Sequence, residues 1–238
     1  RAHLNDDRSG LRAAPVRLFV MGSKQWRDFA DWPPPAESTR WHLQPGGALA
    51  AAPPSASEPD RYRYDPADPT PAVGGNSLGD RKRMGAKDNR ELEARADVLV
   101  YTSAPLEQDM EVIGPVTADL YVSSSLEHTD FFARLCVVER SGKSVNLCDG
   151  ILRLASGELA ADAEDVRHIT IGLWPTAYHF RRGERIRVQV SSGAHPRFAR
   201  NSGSGEPIAT ATKLLIADQA VYHDPAHPSA VMLPVVSG

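Results

Sequence analysis

No stretch of this chain stays apolar for the ~20 residues that a membrane-spanning helix requires, so no membrane partner is expected. There is no broad basic excess either. The formal net charge is −3 and the pI near 6.3, which excludes a nucleic-acid binder of the usual cationic kind. The short run Arg81-Lys82-Arg83 reads as a solvated loop. Only two cysteines occur in 238 residues, Cys136 and Cys148. That is too few for a disulfide scaffold, and their strand-like surroundings predict buried thiols in a reducing, cytoplasmic setting. The first residues, RAHLNDDRSG, hold no Met and no apolar signal segment. The expectation is a piece of a longer polypeptide, with residues 1–15 as a linker and 16–238 as one domain.

Helical periodicity is also missing. No segment carries an apolar stripe for more than two turns. In its place the chain offers 19 prolines, 18 glycines and a series of short alternating runs. VRLFVM (16–21) is the first strand candidate, and DVLVYTS (97–103) the next. VTADLYVSS sets Val116, Ala118, Leu120 and Val122 on one face. Phe132–Val138 and Val145–Leu154 flank the turn Arg140-Ser141-Gly142-Lys143 as a hairpin. VRHITIGLW follows. In RIRVQV, Ile186, Val188 and Val190 alternate with Arg185, Arg187 and Gln189, the period of a half-buried strand. KLLIADQAVYH and AVMLPVV complete the set. Residues 45–60 read as a low-complexity loop and 65–92 as a long irregular stretch. Many short strands with Gly/Pro turns predict an all-β fold, a jelly-roll β-sandwich with the N-terminal third wrapped outside it.

Within the irregular stretch, residues 75–79 read GNSLG and match the G-x-S-x-G pattern of a hydrolase nucleophile elbow. An elbow needs a buried strand before the first glycine and a helix after the second. Here Pro66, Pro69 and Pro71 precede it and the charged run DRKRMGAKDNR follows. Both flanks fail, so Ser77 is expected in a mobile polar loop. Gly74, Gly75 and Gly79 would let the chain turn there.

Metal and triad chemistry find little footing. His223 and His227 are spaced as zinc ligands on a helix, but Pro225 and Pro228 forbid that helix. A turn entering the last strand is the better reading. His179 precedes a glycine turn and reads as a surface hairpin residue. His195, Arg197 and Asn201 share a glycine-rich loop that could face a cleft or be pinned by its own hydrogen bonds. The segment GSGEP (203–207) lacks the lysine and helix of a phosphate loop. No cofactor and no metal are expected.

Eight phrases in register carry a resemblance that single motifs do not. They are VRLFVMGSKQWRDFADWPPP (16–35), YDPADPTPAVGG (64–75), DVLVYTSAPLEQDMEVIGPVTADLYVSSS (97–125) and TDFFARLCVV (129–138). After them come LCDGILRL (147–154), RIRVQVSS (185–192), FARNSGSG (198–205) and YHDPAHPSAVMLPVV (222–236). Together they resemble the C-terminal region of CocE/NonD hydrolases, the cocaine esterase and X-prolyl dipeptidyl-peptidase relatives. The resemblance implies a non-catalytic jelly roll with a galactose-binding-like fold. It would follow an α/β-hydrolase domain that carries the Ser-Asp-His triad and a helical cap. It implies an accessory role without catalytic activity in this chain alone, buttressing the hydrolase domain and lining part of its cleft. The matching cleft loop is Asn76–Met84, with Asn76, Ser77, Leu78, Asp80, Arg81 and Met84 as candidate lining residues. The loop is more basic than the esterase pattern and lacks an aromatic. Trp26 and Trp32 fall in a segment that resembles the family's interdomain strap, and Phe19, Trp26, Phe29 and Trp32 are the candidate docking residues. An isolated chain would expose them and could self-associate through them. Asp130, Asp149 and Asn201 read as turn and inter-strand hydrogen bonders. Two rivals are a stand-alone carbohydrate-binding module stacking sugars on Trp26, Trp32, Trp41 and Trp174, and a small hydrolase using Ser77.

Overall fold

A computed structural model describes residues 10, 12–76, 84–157 and 160–236. Thirteen strands and one helical turn follow in chain order among them. The strands are β1 (Val16–Val20), β2 (Gln25–Phe29), β3 (Glu37–Gln44), β4 (Ala48–Ala50), β5 (Asp60–Tyr64), β6 (Leu99–Ser103), β7 (Met110–Ser124), β8 (Thr129–Val138), β9 (Ser144–Leu154), β10 (Arg167–Phe180), β11 (Arg185–Ser191), β12 (Ala217–Tyr222) and β13 (Ala230–Val236). The turn of helix, α1, is Arg90–Glu93. No described helix is long and apolar enough to cross a membrane.

The fold is an all-β sandwich built around β7. One edge of β7 pairs with β10 along its length; the other pairs with β13 and then with β12, which also pairs β5. From β13 the hydrogen-bonded path runs through β3 and β4 to β6, β11, β8 and β9. The two halves of this path close on one apolar core. Val116, Leu120, Ile169, Ile171 and Val231 meet Phe131, Leu135, Ile186, Val188 and Val190 there, all but fully buried. The alternation of Val116, Ala118, Leu120 and Val122 is thus the inward face of β7. At Gly114-Pro115 the ladder skips on both sides of β7, opposite Trp174-Pro175 and Pro234. Prolines cannot donate to a ladder, and the resulting bulges bend the central strand.

Several boundaries differ from the sequence reading. β3 and β5 were not anticipated, because ESTRWHLQ and DRYRY are more polar than a core strand. Tyr62 and Tyr64 nonetheless turn inward from β5. The stretch read as a low-complexity loop contains a turn at Pro45–Gly47 and the short β4, where Leu49 enters the core. Lys213 to Ile216 precede β12 rather than belonging to it, and Leu214, Leu215 and Ile216 are exposed. The Arg140–Lys143 turn joins β8 to β9 as expected, with Val138 opposite Ser144.

Candidate functional site

The whole of β8 is buried, on both faces. Phe131, Ala133, Leu135 and Val137 point into the core. Phe132, Arg134 and Cys136 point the other way, and on that side Val73 and Asn89 meet Arg134 while Glu93 meets Arg187 and Gln189. This cover buries much of the outer face of β8 and β11, whereas Ile151 and Arg153 of β9 stay half-buried. It corrects the half-buried reading of RIRVQV, since Gln189 is fully buried and Arg187 is paired underneath.

Polar residues on that covered face hold this cover down. Glu93 of α1 accepts hydrogen bonds from Arg187 Nη1 (2.5 Å), Gln189 Nε2 (2.7 Å) and Ser144 Oγ (2.5 Å). Arg134, fully buried, donates from Nε and Nη2 to Asp149 Oδ2 at 3.2 and 3.0 Å. Its Nη1 donates to Val73 O (2.7 Å) and Asn89 Oδ1 (2.6 Å). Arg197 Nη1 reaches the other oxygen of Asp149 at 2.5 Å. Further along the same two strands, Asp130 takes a paired contact from Arg153 and a hydrogen bond from Asn201. Asp130, Asp149 and Asn201 therefore act as inter-strand and loop hydrogen bonders.

These contacts define the base of the expected cleft loop. Gly75 and Gly85 exchange two backbone hydrogen bonds, each 2.9 Å, so the chain from 76 to 84 leaves and returns through one neck. Both glycines have positive φ. A Cβ on Gly75 would stand 2.5 Å from Arg197 Nη1, so no larger residue fits without displacing the ion pair. Asn76 is exposed and Met84 half-buried. Ser77, Leu78, Asp80 and Arg81 lie outside the described residues. No strand runs into Gly75: the residues before it are irregular, with a single bridge from Pro71 to His195.

The candidate docking residues sit on the β1–β2 hairpin and just beyond it. Phe19, Trp26 and Trp32 are 42%, 64% and 39% exposed, and Phe29 is half-buried. Phe19 and Trp26 pack edge to face at 5.4 Å between ring centroids. The hairpin is tied to β10 by Met21 N to Ala177 O and His179 N to Met21 O, both 2.9 Å, and to β7 by the Arg27–Glu111 ion pair. His179 is held between Asp109 and Glu111. A groove of about 870 Å³ runs from Phe19 and Met21 of the hairpin to Ala86 and Asn146 beside the loop neck. Trp174 is exposed, whereas Trp41 is half-buried with its indole N–H shut away from solvent.

Both cysteines are free. A bulge between Leu135 and Cys136 leaves Cys148 in the core, while Cys136 takes a contact from Gln189 on the opposite face. Burial pushes the Cys136 thiol up to about 12 and raises that of Cys148 as well. The two C-terminal histidines are structural clips. His223 bridges Asp60 (2.9 Å) and Ser57 (2.9 Å), while His227 bridges Asp162 (2.9 Å) and Asp224 (3.2 Å). Burial alone would lower each, but hydrogen bonds and charge from those carboxylates outweigh it and raise both above the ordinary histidine range. Among the described residues no group of three or more His, Cys, Asp or Glu could hold a metal. Arg134, Asn89, Asn146 and Glu93 escaped sequence reasoning as functional positions. The one available signal was Arg134 itself, a lone cation inside the apolar run FFARLCVV.

Comparison with known proteins places this architecture. Residues 10–232 match the model of the X-Pro dipeptidyl-peptidase C-terminal non-catalytic domain. The chain belongs to that family. It is 37% identical to the cocaine esterase of a Rhodococcus species over 98% of its own length and 44% of the esterase. A putative serine esterase of Mycobacterium bovis is 28% identical over 93% of the chain and 37% of that protein. Among solved structures, an aminopeptidase from a marine sediment archaeon superimposes with a TM-score of 0.85 at 26% identity, covering 99% of this chain and 42% of that one. An alpha-amino acid ester hydrolase gives 0.82 at 26% identity, over 93% of this chain and 41% of its own. The domain thus spans about two fifths of the length of these relatives.

Proposed function

We propose that this domain is the accessory module of a serine hydrolase of the esterase or X-prolyl peptidase type. It packs through the β1–β2 hairpin against an α/β-hydrolase domain of the same polypeptide. It holds the 76–84 loop at the rim of that domain's substrate cleft, and the catalytic serine, acid and histidine belong to the other domain.

The observation that carries this reading is the shared face. Phe19 of the hairpin, against which Trp26 packs, lines the same groove as Ala86 and Asn146, which flank the neck of the loop. A partner domain seated on Phe19 and Trp26 would extend along that groove toward the loop. Interfaces between domains of one chain bury roughly 600–1,500 Å², and an edge-to-face pair of large rings is suited to anchor one. The relatives support the same reading, since they are an esterase, a putative serine esterase, an ester hydrolase and an aminopeptidase, all more than twice as long.

A photo-cross-linking side chain at position 26 of the full-length polypeptide tests it. The expected product joins position 26 to the hydrolase domain. Cross-links confined to this domain, or none at all, would overturn the docking assignment. In the separate chain the same face is open, so sedimentation should show self-association that Trp26→Asp weakens.

A further inference from the structure

We propose that Asp149, clamped between Arg134 and Arg197, is a positioning residue that fixes the neck of the 76–84 loop. One buried guanidinium, that of Arg134, grips both limbs of the loop: Val73 O on the way out and Asn89 Oδ1 on the way back. The same guanidinium is held by Asp149, whose second oxygen holds Arg197. Arg197 in turn lies against Gly75, where any Cβ would collide with it. Asn146, also on β9, closes the other side. Its Oδ1 accepts from Lys87 N (2.8 Å) and Asn89 Nδ2 (3.2 Å), and its Nδ2 donates to Gly85 O (3.1 Å).

Charge makes Asp149 the centre of this arrangement. Two guanidiniums converge on one carboxylate, all three nearly excluded from water. Neutralising the carboxylate leaves two buried cations side by side without a counter-charge, which is far costlier than the loss of one hydrogen bond. Both cations bear on the limbs of the loop, so the strain falls at the Gly75/Gly85 pair rather than in the apolar core behind β8. The Asp130–Arg153 pair on the same two strands holds no part of the neck and serves as a control.

Hydrogen exchange on the 238-residue chain reads the neck directly. In Asp149→Asn the amides of Gly75 and Gly85 should exchange at least about tenfold faster, while the amides of the β8–β9 ladder keep their protection. Arg153→Gln should leave Gly75 and Gly85 unchanged. If Asp149→Asn does not fold, Arg197→Gln carries the same expectation, and Arg197→Lys should restore most of the protection because it returns the charge. Gly75 and Gly85 exchanging no faster in the neck variants than in Arg153→Gln would overturn the proposal. Its bearing on substrate rests on the cleft reading above and has a separate test. In the full-length polypeptide, Arg197→Gln should raise KM for an ester substrate while kcat is kept. Faster exchange at the neck with KM unmoved would leave the positioning role standing and overturn the cleft reading alone.

Discussion

Replacing Glu93 by alanine should loosen the irregular segment that carries the candidate loop. The glutamate sits on α1, a single turn of helix that cannot hold itself together in water. Its carboxylate is nearly buried and satisfies Arg187, Gln189 and Ser144 at once. Gln189 and Ser144 have no access to water; Arg187 keeps a fifth of its side chain exposed. Leaving buried donors without a partner costs about 1–3 kcal/mol each, and breaking a buried ion pair from one side costs about 3–5 kcal/mol. These costs overlap, and partial hydration of Arg187 reduces the second. The expected loss for Glu93→Ala is about 3–5 kcal/mol, a large part of the ~5–15 kcal/mol that holds a typical domain. Urea denaturation should show it as a fall in midpoint at an unchanged slope. Glu93→Gln, which keeps one acceptor, should lose about 1–3 kcal/mol. A double-mutant cycle with Arg187→Gln should give a coupling of at least ~1 kcal/mol. A loss under ~0.5 kcal/mol for Glu93→Ala, or strict additivity with Arg187→Gln, would refute the idea that this carboxylate clamps the segment to the sheet.

The histidine clips set a pH dependence. His223 and His227 have raised folded-state values, so the stability they contribute is complete below the ordinary histidine value near 6.5 and is lost as pH rises through the raised ones. Asp60 and Asp224 are lowered, so their share is present above the ordinary carboxylate value and lost as pH falls through the lowered ones. The midpoint of thermal unfolding should therefore drop from pH 6 to pH 8.5, and the drop should shrink in the double variant His223→Gln, His227→Gln; an equal drop in that variant would contradict the assignment. The buried thiols should ignore a thiol reagent in the native state and react fully, two per chain, in denaturant. Rapid native labelling at Cys136 would contradict its burial on the outer face of β8.

The core was legible in the sequence because it obeys a simple period. Val116, Ala118, Leu120 and Val122, and likewise Ile186, Val188 and Val190, alternate cleanly and all point inward. The β8–β9 hairpin announced itself through its turn. β3 and β5 stayed hidden because their outward residues are charged and their inward ones few. Tyr62 and Tyr64 alternating with Arg61 and Arg63 were the only trace of β5. The covered face could not be read from local pattern. Arg187 and Gln189 have the spacing of solvent-facing residues, and only Glu93 of the distant α1 draws them under cover. The neck was less legible still. Val73, Gly75, Gly85, Asn89, Arg134, Asn146, Asp149 and Arg197 come from separate parts of the chain, and their chemistry exists only once β8 and β9 have paired. What the sequence did carry was the proline-rich approach to Gly75, which argued correctly against a strand there.

Labelling with a fluorophosphonate, in the full-length polypeptide and in the 238-residue chain, distinguishes a nucleophile in the hydrolase domain from one in this domain. The proposed function puts the nucleophile in the hydrolase domain and none in this one. It predicts one labelled serine in the full-length protein, outside these 238 residues, and no covalent adduct on the separate chain. Stoichiometric labelling of the separate chain at Ser77, abolished by Ser77→Ala, would contradict it.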